Sequence, residues 1–252
     1  MNDIKKVQRC LLRMAIAIRD ILEEHNIPYF ITYGTLLGAI RHRGFIPWDD
    51  DFDFHIFSEY YDEAMICLRD YLPKSYFLEN SDSEPLYFHA WAHVKDMNSL
   101  VECSQFPQDG IYEHKGISID LYKVTRMKES EEQMFRINEH IAYIKRKYMH
   151  GLLEASEFKT KVTALQENLS LVSACGECDS ITDIYACPAD IKGKLYIDEL
   201  FPLVKYQFED TYFYGPKDAK IFLTRLYGEY MKLPEIDRRI PHYSRVVFLK
   251  DM

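Results

Sequence analysis

Four aspartates stand within five positions, between Asp49 and Asp53, and they are the most informative residues of the chain. Carboxylates this close repel one another, so a helix or a plain core strand would not favour them. On a strand, Asp51 and Asp53 point to one face, about 7 Å apart, while Phe52 and Phe54 point to the other. Two carboxylates on one face can share a divalent metal ion. The alternative is a solvated acidic turn, against which the alternating phenylalanines argue.

A glycine turn precedes these aspartates and supplies a second part of the same chemistry. The segment Gly34–Gly38, with Thr35 second, is typical of a turn that opens a short helix and presents backbone N–H groups to a phosphate. A phosphate-binding turn followed by two carboxylates on one face suits metal-dependent nucleotidyl transfer, because the metal neutralises the transferring group. Asp120 is the best third carboxylate. It lies among apolar residues on a predicted strand, where burial is costly unless the aspartate binds something.

Basic residues near these motifs are candidates for phosphate contacts. Arg41 and His42 directly follow the glycine turn, and Lys95 ends a predicted strand. Charge-assisted hydrogen bonds to a pyrophosphate suit Arg41 in particular, whereas the alternative for both residues is a solvated helix end. For three further residues a structural or surface role is as well supported as a role at the site. They are His114, Arg239 and His242.

The spacing of apolar residues predicts the elements that carry these side chains. Steps of three and four predict helices, and alternation predicts strands. The predicted helices span 4–26, 35–41, 60–71, 129–148, 155–171 and about 217–227. The predicted strands span 28–32, 51–57, 87–94 and 116–124. One α/β or α+β domain over residues 1–252, with a mixed sheet flanked by helices and a helical middle and C-terminal part, fits this order best.

Composition excludes several classes of protein. The chain has 252 residues, 47% hydrophobic and 28% charged, which is ordinary globular usage and excludes disordered, collagen and coiled-coil proteins. The net charge of −9 argues against nucleic acid as a partner. No apolar run approaches the roughly 18 residues of a transmembrane segment, and Arg13, Arg19 and Asp20 interrupt the N-terminal apolar stretch, which argues against a signal peptide. We therefore expect a cytoplasmic protein with reduced cysteines.

Three of the six cysteines raise the question of a zinc site. Cys175 and Cys178 have the spacing of metal ligands, and Cys187 follows nine residues later. A structural zinc site needs a fourth ligand, and no other Cys or His stands close in the sequence. Unpaired thiols are therefore favoured over zinc.

The segment from Gly34 to Asp53, GTLLGAIRHRGFIPWDDDFD, closely resembles the hallmark motif of the LicD family of phosphocholine-transferase-like proteins, which have the nucleotidyltransferase fold. The stretch from His114 to Asp120 resembles the second motif of that family. The C-terminal residues from Phe201 to Pro234 also follow its pattern, so the resemblance covers about residues 28–242. The stretch of about 127–194 resembles the family little and is predicted to be a helical insert that serves the acceptor.

The resemblance implies that the chain moves a phospho-alcohol, such as phosphocholine or an alditol phosphate, from a CDP-linked donor to a glycan hydroxyl. It implies Mg²⁺ or Mn²⁺ as cofactor, held by Asp51, Asp53 and Asp120, with Asp120 as ligand, general base or both. Asp49 and Asp50 would lie around the metal or contact the acceptor. The donor would be bound by the residues near the glycine turn and by one lysine, namely Gly34, Thr35, Gly38, Arg41, His42 and Lys95.

The acceptor implied by the family is a cell-surface glycan or its lipid-linked precursor, as in lipopolysaccharide, teichoic acid or capsule, which places the enzyme at the inner face of the membrane. Choline, ribitol and glycerol all remain candidates for the donor alcohol, because no aromatic side chain can be assigned to a quaternary ammonium group. Two other functions compete with this one: a nucleotidyltransferase that uses an NTP, and a catalytically inactive glycan-binding module.

Overall fold

The computed structural model describes residues 4–103, 110–126, 131–173, 180–182 and 194–249. Within these residues the chain forms seven α-helices and eleven strands. The helices are α1 (Ile4–Glu24), α2 (Tyr33–His42), α3 (Ser58–Tyr71), α4 (Glu131–Met149), α5 (Ala155–Ser173), α6 (Ile197–Leu200) and α7 (Ala219–Tyr227). The strands are β1 (Tyr29–Ile31), β2 (Asp53–Phe57), β3 (Tyr76–Glu79), β4 (Ala92–Asp96), β5 (Ser99–Cys103), β6 (Ser118–Arg126), β7 (Ser180–Thr182), β8 (Leu195–Tyr196), β9 (Val204–Phe208), β10 (Thr211–Gly215) and β11 (Tyr243–Phe248).

A mixed sheet forms the centre of the protein. Its strands follow the order β1-β2-β6-β4-β3, and β7 pairs with the far end of β6 and with β8. The central pair β2 and β6 is parallel, and the other pairs are antiparallel. The register places Asp53 opposite Asp120, and Asp120 opposite His93. Residues that face each other across neighbouring strands share a face of the sheet, so the sheet itself brings these three side chains together.

The main hydrophobic core lies between the sheet, α1 and α3. Alternate residues of the central strands fill it, since Phe54, Leu121 and Val94 are fully buried. Phe52, just before β2, packs against Phe213 of β10 with a ring-centre distance of 5.0 Å. The phenylalanines of the acidic segment thus anchor it in the core, which fixes the aspartates beside them.

A second hydrophobic cluster joins α4 and α5 to the loop before β4 and to Tyr112. Its buried residues include Phe88, Tyr112 and Phe158, and the rings of Phe88 and Phe158 lie 4.8 Å apart. The helical part of the middle region therefore packs on its own small core.

The predicted class, an α/β fold with a mixed sheet and flanking helices, is confirmed. The C-terminal part also contains the antiparallel pair β9–β10 and strand β11, which pairs with β5. None of these strands is among the predicted ones, although β9, with the sequence VKYQF, alternates apolar and polar residues and its burial alternates with them. Among the described residues, no helix is both long and apolar enough to cross a membrane.

Candidate active site

A pocket of about 760 Å³ opens beside the acidic segment. Three parts of the chain line it: one side of α2, residues 46–53, and residues 227–242, which we call the C-terminal segment. The pocket walls include the following charged side chains: Arg41, Asp49, Asp51, Asp53, Glu229, Lys232, Glu235, Arg238 and His242. The pocket therefore has an acidic region within a wall that also carries cations.

The acidic region is formed by Asp49 and Asp51 together with His242. One ligand atom of each residue lies within 4.8 Å of the other two. Oδ1 of Asp51 is buried and has no hydrogen-bond partner among the described residues, whereas Oδ2 lies 3.3 Å from Nδ1 of His242. Burial raises the pKa of Asp49 and Asp51, and the charges of neighbouring carboxylates raise both further, whereas His242 offsets part of the rise at Asp51. A divalent cation would offset this repulsion and satisfy the buried oxygen, so these residues fit a Mg²⁺ or Mn²⁺ ion.

Asp50 faces away from the pocket and holds the C-terminal segment in place. Its carboxylate is 2% exposed and accepts hydrogen bonds from the backbone N–H groups of His242 and Tyr243, both at 2.8 Å. Nδ1 of His242 lies 3.0 Å from the same carboxylate, and this hydrogen bond raises the pKa of His242. Asp50 therefore positions His242 beside Asp51.

Asp53 and Asp120 stand side by side on the parallel strands β2 and β6. The backbone N–H of Asp53 donates to the hydroxyl of Thr35 at 2.9 Å, which ties β2 to the first turn of α2. The side chain of Asp120 is 28% exposed, and its Oδ2 accepts a hydrogen bond from the Tyr122 hydroxyl at 2.7 Å. The negative charge of Asp120 contributes to the raised pKa of Asp51, so these two predicted carboxylates interact electrostatically.

Two of the six predicted donor-binding residues line the pocket. A Cβ on Gly34 would lie 3.0 Å from Oδ2 of Asp49, so a glycine lets the first turn of α2 approach the carboxylates closely. Arg41 donates a hydrogen bond from Nη1 to the backbone oxygen of Tyr230 at 2.6 Å, which links α2 to the C-terminal segment.

The other four predicted donor-binding residues are not among the described residues that line this pocket: Thr35, Gly38, His42 and Lys95. The Thr35 hydroxyl accepts the Asp53 bond, and Nε of Arg41 lies 3.4 Å from Nδ1 of His42. Lys95 is buried with Nζ 3.6 Å from Glu79. These positions favour supporting roles, and the phosphate contacts of the four residues stay predictions.

Gly38 has a packing role. A Cβ at this position would lie 2.4 Å from the backbone oxygen of Gly44. We expect Gly38→Ala to lower the free energy of unfolding by about 1–3 kcal/mol, because overpacking outweighs the better helix propensity of alanine. Urea unfolding would measure it, with Gly110→Ala as the control, since a Cβ there has no neighbour within 4 Å. Equal stabilities of the two variants would contradict the packing role.

Two aromatic residues of the C-terminal segment are not among the predicted site residues, whereas Arg239 is one of the candidates named from the sequence. Tyr227 and Tyr230 line the pocket with Trp48, and the guanidinium of Arg239 lies over the Trp48 ring, 5.2 Å from its centre. His114 instead packs on Phe77, with ring centres 4.0 Å apart.

The proposed zinc ligands Cys175, Cys178 and Cys187 lie outside the described residues.

Residues 26–150 match the family model described as "LicD/FKTN/FKRP, nucleotidyltransferase domain". Over 268 aligned residues the chain is 25% identical to the lipopolysaccharide cholinephosphotransferase LicD of Haemophilus influenzae, and the alignment covers 98% of each chain. It is also 30% identical over 137 residues to an uncharacterized protein of Rickettsia prowazekii, which covers 51% of this chain and 50% of that protein. The family model covers the glycine turn, the acidic segment and Asp120. The alignment with the Haemophilus protein also covers the C-terminal segment.

Proposed function

Since the chain belongs to the LicD family, we propose that it is a phosphotransferase that moves phosphocholine from CDP-choline to a hydroxyl group of a cell-surface glycan, with Mg²⁺ or Mn²⁺ as cofactor. The similarity to the Haemophilus cholinephosphotransferase over nearly the whole chain supports choline and a lipopolysaccharide-like acceptor. One structural observation supports the metal-dependent chemistry: Oδ1 of Asp51 is buried with no hydrogen-bond partner in the described part of the chain, and it lies beside Asp49 and His242 in the wall of the pocket.

Asp49 and Asp51 are the carboxylates best placed to hold the metal, with Asp53 adjoining them in the same pocket. When bound, Mg²⁺ or Mn²⁺ supplies positive charge that neutralises the diphosphate of the donor and stabilises the charge of its transferring group. His242 is held by Asp50 and orients Asp51 through the contact at 3.3 Å.

The start of α2 and the cations of the pocket are suited to the diphosphate. The first N–H groups of a helix have no intrahelical acceptor and form its positive end, and Gly34 allows close approach there. Arg41 and Arg238 line the same pocket and bring positive charge to the donor. Tyr227 and Tyr230 offer aromatic faces for the trimethylammonium group of choline.

We propose that Asp120, which lies opposite Asp53 on the neighbouring strand, acts as the base. Its partly exposed carboxylate takes the proton of the acceptor hydroxyl while the hydroxyl oxygen bonds to the phosphorus of phosphocholine. The bond between that phosphorus and the bridging oxygen of the donor breaks, and CMP leaves with the electron pair.

Ligand-dependent thermal stability tests this proposal. With Mg²⁺ present, CDP-choline is expected to raise the melting temperature more than CDP-ribitol, CDP-glycerol or CTP. Saturating ligand at 100 times its Kd would stabilise the folded state by about 2.7 kcal/mol. EDTA should abolish the shift, since the diphosphate would lack its cation.

Each other outcome has a defined meaning. Stabilisation by CTP or ATP alone would favour a nucleotidyltransferase, and no shift with any nucleotide would favour an inactive glycan-binding module. A larger shift with CDP-ribitol or CDP-glycerol would keep the reaction and replace the alcohol. Transfer of labelled phosphocholine to lipopolysaccharide would then test the acceptor.

A further inference from the structure

A row of polar side chains crosses the central sheet behind Asp120. The register pairs Glu79 of β3 with His93 of β4, and His93 with Asp120 of β6. The three side chains therefore project from the same face of three adjacent strands. The exposed fraction rises along the row, from 0% for Glu79 and 5% for His93 to 28% for Asp120. The row thus leads from the interior of the protein to the carboxylate at the site.

His93 connects the two carboxylates. Its Nδ1 lies 3.1 Å from Oε2 of Glu79, and its Nε2 lies 3.3 Å from Oδ1 of Asp120. The contacts with His93 and Lys95 lower the pKa of Glu79, although burial alone would raise it. Glu79 is therefore a buried negative charge, with a histidine and a lysine gathered around it.

Packing alone does not require this row. The opposite face of the same strands is apolar, and its residues Val94, Ile119 and Leu121 are fully buried in the core. Buried charges cost more free energy than apolar residues of similar size, so such a row contributes little to stability. Its geometry has one clear result: both oxygens of Asp120 have partners, Oδ1 facing His93 and Oδ2 accepting from Tyr122.

We propose that Glu79 and His93 are positioning residues that act on the transfer reaction through Asp120. Glu79 holds the imidazole ring of His93, and the ring in turn fixes the orientation of the Asp120 carboxylate toward the acceptor hydroxyl. This inference rests on the proposed function, in which Asp120 takes the proton of that hydroxyl. It also gives Lys95 a role, as the cation beside Glu79.

A double-mutant cycle tests whether Glu79 acts through Asp120. Glu79→Gln keeps the shape of the side chain and removes its charge. It is expected to lower kcat by about 10- to 100-fold, with the KM for CDP-choline within about twofold of wild type. Asp120→Asn is expected to lower kcat further. The double variant should then match Asp120→Asn alone, since Glu79 has no other route to the reaction.

Glu84→Gln is the matched control. Glu84 is also a buried glutamate, but among the described residues its oxygens accept only backbone N–H bonds, from Leu86 at 3.1 Å and Glu113 at 2.9 Å. Its replacement is expected to leave kcat within about twofold of wild type. The melting temperature of each variant shows whether it is folded. A second comparison uses His93: His93→Gln keeps an N–H donor and is expected to retain more activity than His93→Leu.

The dissociation constant of Mn²⁺ without donor, measured by electron paramagnetic resonance, gives a readout separate from turnover. If Glu79→Gln changes this constant, the change should disappear in the Asp120→Asn background. If Glu79→Gln changes the constant in neither background, the metal site is intact, and general damage to the site does not explain the loss of kcat. Independent, multiplying effects in the two variants would overturn the inference, as would equal kcat values for Glu79→Gln and Glu84→Gln. Lack of turnover by the wild-type protein with every CDP-alcohol would instead overturn the proposed function, and this inference with it.

Discussion

Asp51→Asn is expected to lower the rate of phosphocholine transfer by about a thousandfold, because a bound metal contributes several kcal/mol to the stabilisation of the transferring group. Asparagine has the size of aspartate but no charge. Oδ1 of Asp51 is buried without a partner among the described residues, and Oδ2 contacts His242, so the substitution removes a negative charge from the proposed metal site. The measurement is kcat at saturating Mg²⁺ and CDP-choline.

The same variant is expected to be at least as stable as wild type when no metal is present. The pKa of Asp49 and of Asp51 is raised above 3.8, first by burial and then by nearby carboxylates, although His242 lowers the pKa of Asp51 in part. The folded state therefore binds more protons than the unfolded state between pH 3.8 and the raised pKa values, and wild-type stability falls as the pH rises through that window. Urea unfolding in EDTA should show a larger advantage of Asp51→Asn at pH 8 than at pH 4.5.

Asp62→Asn is a suitable control, since Asp62 is an exposed residue of α3 away from this pocket. It should change neither turnover nor the pH dependence of stability. Turnover of Asp51→Asn close to that of wild type would rule out Asp51 as a metal ligand.

The site residues that stand close together along the chain could be predicted from the amino-acid sequence. Gly34 and Asp51 stand within one stretch of 20 residues, and the density of charge beside phenylalanines identified the segment as functional. Asp120 could be predicted because an aspartate among buried apolar residues needs a reason to be there. The sheet register then places it directly opposite Asp53.

Contacts between distant parts of the chain could not be predicted in the same way. Periodicity reports which face of a strand or helix a residue occupies, but not which strand will lie beside it. The partner of Asp50 is His242, in a segment at the other end of the chain. The link from His93 to Glu79 requires knowing that β3 pairs with β4. Lys95 is an example: the sequence predicts the strand that it ends, but not that Glu79 lies buried beside it.

These distant contacts make the pocket depend on the residues that hold its C-terminal wall in place. Arg41 and Asp50 each bind the C-terminal segment, Arg41 through the backbone of Tyr230 and Asp50 through that of His242 and Tyr243. The wall that carries Tyr227, Tyr230 and Arg238 is thus held by residues next to the carboxylates that we propose as metal ligands. Loss of these contacts should weaken donor binding as well as stability.

Asp50→Ala is accordingly expected to lower the free energy of unfolding by about 3–5 kcal/mol, because it leaves His242 and two N–H groups without their buried acceptor. The KM for CDP-choline should rise at least about tenfold, equivalent to about 1.4 kcal/mol of lost binding, as the C-terminal segment loosens. Urea unfolding and steady-state kinetics measure the two effects. Asp237→Ala, an exposed position of the same segment, is the control.

The dependence of this loss on pH separates the ion pair from the backbone hydrogen bonds. Asp50 raises the pKa of His242 above 6.5, so the stabilisation from the protonated ring is complete below pH 6.5 and is lost as the pH rises through the raised pKa. The difference in unfolding free energy between wild type and Asp50→Ala should therefore be larger at pH 6 than at pH 8.5. The backbone bonds of Asp50 do not titrate with His242, so part of the difference should persist at pH 8.5. A difference that is the same at both pH values would show that the backbone bonds alone hold the segment and that the charge of His242 contributes nothing.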